Sequence, residues 1–197
     1  MEQIRSFIAI ELPDELKLEL DRLETRLKSA KPSGVKWVDP DSIHLTLKFL
    51  GNIAIDRTAE ITRAIEEAAR VVTPFHLEVK DLGVFPNLKR VRVAWVGISG
   101  EVDKLIQLQQ GIESNLTSLG FAPESRPFTS HLTLARLGNQ ASLDERQKFG
   151  QLIASTRFEG GAINVDAISL MRSQLTRAGA IYSRISSVGL KKMSLLR

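Results

Sequence analysis

Two histidines head a repeated stretch of this sequence and could carry out acid–base chemistry. Residues 44–51 read His-Leu-Thr-Leu-Lys-Phe-Leu-Gly, and residues 131–138 read His-Leu-Thr-Leu-Ala-Arg-Leu-Gly. The chain has only three histidines, so a rare residue recurs in a fixed context. Near pH 7 a neutral imidazole can take up a proton and an imidazolium can give one up. His44 and His131 could therefore act as the base and the acid of one reaction.

Strand alternation predicts which side chains accompany each histidine. In a β-strand, side chains two residues apart lie on the same face, about 7 Å from each other. Thr46 therefore shares a face with His44, and Thr133 shares a face with His131, while the intervening leucines fill the opposite face. Two such strands facing each other across a cleft would present two imidazoles and two hydroxyls to one ligand.

Cleavage of a phosphodiester is the chemistry that needs this set of groups. In-line displacement at phosphorus requires a base on the attacking water and an acid on the leaving oxygen. Two hydroxyls can donate hydrogen bonds to the non-bridging oxygens. The scheme needs no metal ion or other cofactor, so we expect neither. A single His-x-Thr is more often structural, and we interpret His76, which lacks this context, as a structural or surface residue.

The composition limits the class of protein. Of the 197 residues, 43% are hydrophobic and 25% are charged, which is typical of a globular chain. The absence of cysteine excludes disulfides, cysteine-ligated zinc and iron–sulfur clusters. A net charge of +4 favours an anionic partner such as nucleic acid, although charge alone fits a generic basic protein equally well. Glu11 ends the first apolar run too early for a signal sequence or a membrane span, so we expect a cytoplasmic protein.

Hydrophobic periodicity predicts alternating strands and helices along the chain. The predicted strands cover residues 5–11, 35–38, 43–50, 75–82, 90–96, 131–137, 163–171 and 180–188. The first predicted helix starts at Pro13 and ends before Pro32, and the other three cover residues 55–72, 102–119 and 142–154. The last nine residues are expected to form a frayed basic tail.

The order of these elements indicates an α+β fold with antiparallel sheets. Several strands are joined by turns rather than by helical crossovers, which argues against a doubly wound parallel sheet. No linker rich in Gly, Ser or Pro divides the chain. We therefore expect residues 1–197 to form a single domain, made of two duplicated lobes that share a packed interface and one cleft.

The whole chain is similar to a known family. The tandem motifs resemble the 2H phosphoesterase superfamily, and the chain resembles its RNA 2′,3′-cyclic phosphodiesterases, also known as 2′–5′ RNA ligases. The similar segments are Arg5–Ile10, Val35–Val38, Leu82–Pro86, Leu119–Phe121 and Arg126–His131. The resemblance implies a bilobal fold with flanking helices, in which two antiparallel sheets are related by a pseudo-two-fold axis around a central active site.

The same resemblance implies a role for each motif residue. His44 would be the proton donor to the leaving ribose O3′, and His131 would be the proton acceptor from water, so that the product is a 2′-phosphate. Thr46 and Thr133 would contact the phosphate. The two motif copies are too alike for the residues themselves to decide which histidine is the acid.

The residue five positions after each histidine is also implied to act in binding. These are Phe49, as a platform on which a base stacks, and Arg136, as a ligand for phosphate. Simple alternation places both on the face opposite their histidines, so each strand must end, twist or bulge after the motif. Packing in the core is the alternative interpretation of Phe49.

The expected partner is RNA with a 2′,3′-cyclic phosphate end, bound by a monomer. Three alternatives stay open at this point. The same site run in reverse would ligate RNA through 2′–5′ junctions, and a closely related site would hydrolyse the cyclic phosphate of a small nucleotide. A non-catalytic module that binds RNA ends is the third, although such a module has no need for paired histidines and threonines.

Overall fold

The structure, a computed structural model, describes residues 2–176 and 179–191. Its strands are β1 (Gln3–Glu11), β2 (Val35–Trp37), β3 (His44–Ala54), β4 (Phe75–Phe85), β5 (Val93–Gly100), β6 (His131–Leu137), β7 (Glu159–Val165), β8 (Ala167–Thr176) and β9 (Gly179–Gly189). Its helices are α1 (Asp14–Lys28), α2 (Thr58–Ala69), α3 (Val102–Ser118) and α4 (Leu143–Ser155). Among the described residues, no helix is long and apolar enough to cross a membrane.

The strands form two antiparallel sheets. The first sheet has four strands in the order β3–β1–β8–β9, and the second has five in the order β2–β6–β5–β4–β7. Every pairing within them is antiparallel. The predicted α+β class with two antiparallel sheets is therefore confirmed. β3 and β6, which begin at the two motif histidines, belong to different sheets and lie in contact with each other.

Buried apolar stripes of two helices fill a common core. They are Leu16, Leu20, Leu23 and Leu27 of α1, and Leu105, Leu108, Ile112 and Leu116 of α3. These side chains pack with buried residues of both sheets in one hydrophobic cluster. Burial of such stripes is what fixes amphipathic helices against sheets. The core thereby holds the two histidine-bearing strands in a defined relation.

Helix ends agree with the sequence in two places and differ in a third. Ser142 caps α4 and forms a capping box with Glu145. Gly120, which directly follows the predicted helix 102–119, has φ +85°, the conformation that makes glycine typical of this position. The second helix is shorter than the predicted 55–72, because residues 55–57 form a 3₁₀ turn and α2 ends at Ala69.

Two predicted strands had wrong bounds or a wrong face. β3 runs through Gly51 to Ala54 instead of ending near Leu50, because Gly51 (φ +71°) lies in a β-bulge rather than a turn. β5 starts at Val93, not at residue 90, and its core face carries Ala94 and Val96. Val93 and Trp95 alternate with Val91 in the sequence as an apolar face would, but they are half-buried on the opposite side of the strand.

The predicted strand 163–171 is in fact two strands in different sheets. β7 ends at Val165 and β8 begins at Ala167, so the chain crosses between the sheets at Asp166. Alternating apolar residues continue through this break, which hides it in the sequence. The expected nine-residue tail is also wrong in part, because Leu190 is buried and its N–H donates to the Asp166 carbonyl. Residues 192–197 of that tail, and residues 177–178 between β8 and β9, lie outside the described residues.

Candidate active site

The chain holds the His44 ring in place through its own backbone. A 3₁₀ turn over Pro40–Ser42 leads into β3, and the Nδ1 atom of His44 lies 2.8 Å from the Ser42 carbonyl oxygen. Because a carbonyl only accepts hydrogen bonds, Nδ1 carries a proton and donates it. The other ring nitrogen, Nε2, is therefore the one left to exchange a proton with a ligand.

His131 repeats this arrangement in the other sheet. Its Nδ1 atom lies 2.7 Å from the carbonyl oxygen of Thr129, again two residues upstream. Both histidines are the first residues of their strands and both are half-buried. The same hydrogen bond thus selects the same tautomer at both positions and leaves Nε2 available in each ring.

The threonines lie where alternation places them. The leucine after each histidine, Leu45 in β3 and Leu132 in β6, is fully buried, whereas Thr46 and Thr133 are half-buried. Each threonine therefore shares its histidine's face, away from the core. The two half-sites each present an imidazole and a hydroxyl on one face.

A β-bulge in each strand brings the residue five positions after the histidine to the same face. In β3 the partners of Thr46 and Lys48 are Ala9 and Ile8, so Leu47 has no partner of its own. This extra residue reverses the alternation, as bulges do. Phe49 consequently lies on the His44 face and is 64% exposed, so packing in the core is excluded for it.

The bulge in β6 falls at the matching position. Thr133 and Ala135 pair with Trp95 and Ala94, and Leu134 is the unpaired residue. Arg136 is therefore turned to the His131 face and is exposed. The expectation that the strands must bulge or twist after the motif is confirmed in both copies, three residues after each histidine.

Aromatic rings surround both imidazoles. The ring of Phe7 stacks on His44 with centroids 4.5 Å apart, and Tyr182 meets His44 edge-on at 5.0 Å. Phe85 meets His131 edge-on at 5.1 Å. These rings fix the imidazole planes by contact on one or more sides.

Trp95 extends the aromatic surroundings of His131. Its ring centroid lies 6.4 Å from that of the imidazole. The indole lies against Gly83, where a Cβ atom would come within 2.1 Å of the ring. Only glycine at residue 83 leaves room for this ring. Gly83 therefore allows Trp95 to take its place beside His131.

A carboxylate lies beside His44 in the neighbouring strand. Glu11 is the register partner of His44 and accepts two hydrogen bonds from Arg184, at 2.7 and 2.9 Å. It also accepts a hydrogen bond from the Ser169 hydroxyl. The hydrogen bond from Arg184 is the main reason why the pKa of Glu11 lies below its usual value. Glu11 is therefore ionised at neutral pH.

Opposing effects act on the pKa of His44. Burial of the ring lowers this pKa, because the charged form loses solvation. The Ser42 carbonyl and the charge of Glu11 act in the opposite direction, and burial prevails. An imidazolium formed at His44 is thus a stronger acid than an exposed one, and negative charge nearby is what favours its formation.

A recess opens beside the first imidazole. Its volume is about 200 Å³, and His44, Tyr182 and Arg184 are among the residues that line it. A larger recess of about 520 Å³ lies between α1 and β7 and contains neither motif histidine. The smaller one is therefore the recess that adjoins the candidate chemistry.

The third histidine stands apart from these sites. The Nδ1 atom of His76 lies 2.7 Å from the side-chain oxygen of Asn164, and its backbone N–H donates to Glu101. His76 is exposed at the surface. This confirms its interpretation as a structural or surface residue.

Sequence reasoning missed several of these neighbours. Tyr182 and Arg184 come from β9, and Glu11 was noted only as the end of an apolar run. Alternation could have placed Glu11 on the same face as Phe7, but only the pairing of β1 with β3 sets it opposite His44. Such pairing joins residues far apart in sequence and leaves no local signal.

Comparisons with known proteins agree with this architecture. A family model for LigT-like phosphoesterases matches the chain twice, over residues 10–95 and 96–182. An RNA 2′,3′-cyclic phosphodiesterase of Methanothermobacter thermautotrophicus is 34% identical over 92% of this chain and 96% of its own length. A second protein of that name, from Aquifex aeolicus, is 31% identical over 93% of this chain and 95% of its own length.

Two solved structures are similar over nearly the entire chain. A protein of Thermus thermophilus superposes with a TM-score of 0.78 at 26% identity, covering 97% of this chain and 100% of the other. Escherichia coli LigT complexed with 3′-AMP superposes with a TM-score of 0.77 at 25% identity, covering 96% of this chain and 99% of the other.

Proposed function

The chain belongs to the LigT-like phosphoesterase family, and we propose that it hydrolyses the 2′,3′-cyclic phosphate at an RNA end to a 2′-phosphate. One observation above all supports this. Two imidazoles in contacting strands each donate Nδ1–H to their own backbone, which leaves Nε2 for a ligand beside a threonine hydroxyl. An acid–base pair around one phosphate requires that arrangement.

In the proposed reaction the cyclic phosphate lies between the two half-sites. His131 Nε2 takes a proton from a water molecule, whose oxygen forms a bond to phosphorus. The bond from phosphorus to O3′ breaks, and His44 Nε2 gives its proton to O3′. The product carries a 2′-phosphate and a free 3′-hydroxyl, and proton exchange with solvent restores both histidines.

The state of His44 is consistent with an acid that works only on a bound anion. Burial favours neutral imidazole, whereas the ionised Glu11 and the negative charge of a bound phosphate favour imidazolium. Once formed, that imidazolium gives up its proton more readily than an exposed one.

Four further side chains would bind the substrate. The hydroxyls of Thr46 and Thr133 would donate to the non-bridging oxygens. The guanidinium of Arg136 can bind a phosphate through two parallel hydrogen bonds. The exposed ring of Phe49 offers a surface on which the terminal base can stack.

A small nucleotide is the second candidate substrate. The observation in its favour is that Escherichia coli LigT has been crystallised with 3′-AMP, NADP⁺ and ATP. Ligation through a 2′–5′ junction is the reverse reaction at the same site, with an RNA 5′-hydroxyl in place of water. Both candidates use the same two histidines and differ in what occupies the cleft.

The test is incubation with an oligonucleotide that ends in a 2′,3′-cyclic phosphate, followed by identification of the phosphate position. The proposal expects a 2′-phosphate, formed equally well in EDTA because the scheme needs no metal ion. Parallel reactions contain 2′,3′-cyclic AMP alone, or an added RNA with a 5′-hydroxyl to reveal ligation. A 3′-phosphate product, or loss of activity in EDTA with rescue by a divalent cation, would contradict the proposed reaction.

A further inference from the structure

Two cations lie side by side on the His131 face of the second sheet. Lys36 of β2 is the register partner of Arg136 of β6, so both side chains leave the same face, with Cβ atoms about 5 Å apart. The next residue, Trp37, packs on Phe149 of α4 with ring centroids 5.9 Å apart. Lys36 therefore points away from α4, to the side that carries His131 and Thr133.

No described side chain forms an ion pair with either of these two cations. Lys36 and Arg136 are both exposed, and neither makes a side-chain hydrogen bond or ion pair with residues 2–176 or 179–191. The next residue across the sheet from Arg136 is Val93, which is apolar. Like charges directly opposed in a sheet are destabilising. A bound anion would convert this unfavourable pair into a favourable cluster.

We propose that Lys36, together with Arg136, binds a second phosphate of the RNA, the phosphodiester that precedes the cyclic end. This rests on the proposed function. Arg136 follows Thr133 on one face of β6 and is the nearer of the two cations to the reacting phosphate. Lys36 lies one strand further away, about 4.8 Å, and so reaches toward a neighbouring phosphate rather than the same one.

A phosphate contact from Lys36 would favour oligonucleotides over mononucleotides as substrates. A cyclic mononucleotide carries only the reacting phosphate and gains nothing from Lys36. A cyclic-ended oligonucleotide carries one more phosphate for every preceding nucleotide, so Lys36 makes the protein prefer chains over mononucleotides. Lysine on an edge strand such as β2 can also hinder pairing with other chains, a role that no substrate would reveal.

The experiment compares kcat/KM for 2′,3′-cyclic AMP and for a dinucleotide that ends in a 2′,3′-cyclic phosphate. Lys36→Gln should lower the value for the dinucleotide about tenfold, as expected for one lost charge-assisted hydrogen bond, mainly through KM, and leave that for cyclic AMP within about twofold. The slope of log(kcat/KM) against log salt should also become shallower for the dinucleotide, because one screened charge contact with a phosphate is lost. Lys36→Arg, which keeps the charge, should retain most of the preference.

Lys148→Gln is the matched control. It removes the same charge from α4, the helix that covers the other face of this sheet, and the lysine side chain there is 73% exposed. It should behave as the wild type on both substrates. Equal losses on both substrates with Lys36→Gln would place Lys36 at the reacting phosphate. No loss on either substrate would leave Lys36 only the role of hindering pairing at the edge strand. Either result would overturn the inference.

Failure of the proposed function would be seen separately. In that case the wild-type protein would hydrolyse neither substrate. Binding of a fluorescent dinucleotide and of a mononucleotide, each with a 2′-phosphate end, would then still test Lys36, because the measurement needs no turnover. The expected result is weaker binding of the dinucleotide alone in Lys36→Gln.

Discussion

The His44 and His131 half-sites have the same backbone design and different side chains around it. Both histidines begin a strand, both donate Nδ1–H to the carbonyl two residues upstream, and both strands bulge three residues later. Opposite His44, however, the neighbouring strand carries Glu11, whereas opposite His131 it carries Gly97. The backbone thus fixes where two equivalent imidazoles lie, and the neighbours make them different.

The residues at the two bulges show the same divergence. Lys48 is buried in the first half-site and donates to Glu113 of α3 at 2.7 Å, whereas the matching residue of the second half-site is Ala135. The next residues are Phe49 and Arg136, one apolar and one cationic. Two half-sites with the same main-chain arrangement therefore differ in charge and polarity through their side chains alone.

The largest effect expected from this comparison is loss of either imidazole. His44→Ala and His131→Ala should each lower kcat/KM for a cyclic-ended oligonucleotide on the order of 10²-fold or more, the usual contribution of a general acid or base. His76→Ala, which removes the surface histidine, should have no effect. Near-normal turnover in either motif variant would remove that histidine from the mechanism.

Loss of the buried cation should instead affect stability. Lys48→Ala leaves Glu113 without its ion pair in a site where that side chain is only 19% exposed. The expected decrease in the free energy of unfolding is about 3 kcal/mol, measured by denaturant titration. Replacing both partners, as in Lys48→Met with Glu113→Leu, should recover most of the loss. An unchanged midpoint for Lys48→Ala would show that the pair does not hold the first half-site in place.

The threonines test how far the symmetry of the half-sites extends to chemistry. Thr46→Val and Thr133→Val keep the strand shape but remove the hydroxyl donor. Each should lower kcat/KM roughly 10- to 100-fold, because a hydrogen bond to a charged group contributes about 1.5–3 kcal/mol. Thr117→Val, on the surface of α3, is the control. A large loss for one threonine and none for the other would mean that only one half-site contacts the phosphate.

The smallest expected effect concerns Glu11, which only the first half-site has. If one histidine must be charged and the other neutral, the optimum pH of kcat/KM lies midway between their pKa values. Glu11→Gln removes a charge that raises the pKa of His44, so the optimum should move to lower pH. Arg184→Gln leaves the Glu11 carboxylate without its cation, so the pH optimum should move to a higher value. An unchanged pH optimum in both variants would show that Glu11 does not influence the pKa of His44.

The sequence predicted the parts of this site that depend on local pattern. The motif copies are visible in the sequence itself, and alternation within one strand puts each histidine and its threonine on a shared face. The need for a bulge before Phe49 and Arg136 follows from alternation only together with the family resemblance, which assigns both residues to binding. The fold class follows similarly from apolar periodicity and turns. Each of these properties is set by residues that are close together in the chain.

The features of the site that the sequence did not predict depend on pairing between distant segments. The side chain opposite His44 is known only once β1 is placed next to β3, and Tyr182 reaches the ring only because β9 lies in the same sheet. The crossing at Asp166 was missed because apolar alternation continues through it. Local pattern does not record which sheet a strand joins, so it could not supply these contacts.

The central claim is that His44 is the acid and His131 is the base of one reaction, and a change of leaving group tests it most directly. A nitrophenyl phosphodiester releases an anion that needs little help from an acid, whereas its water nucleophile still needs a base. With this substrate His44→Ala should regain most of the wild-type rate, and His131→Ala should not. Rescue of His131→Ala alone would contradict the assignment and exchange the two roles, and rescue of neither variant would contradict a separate acid and base.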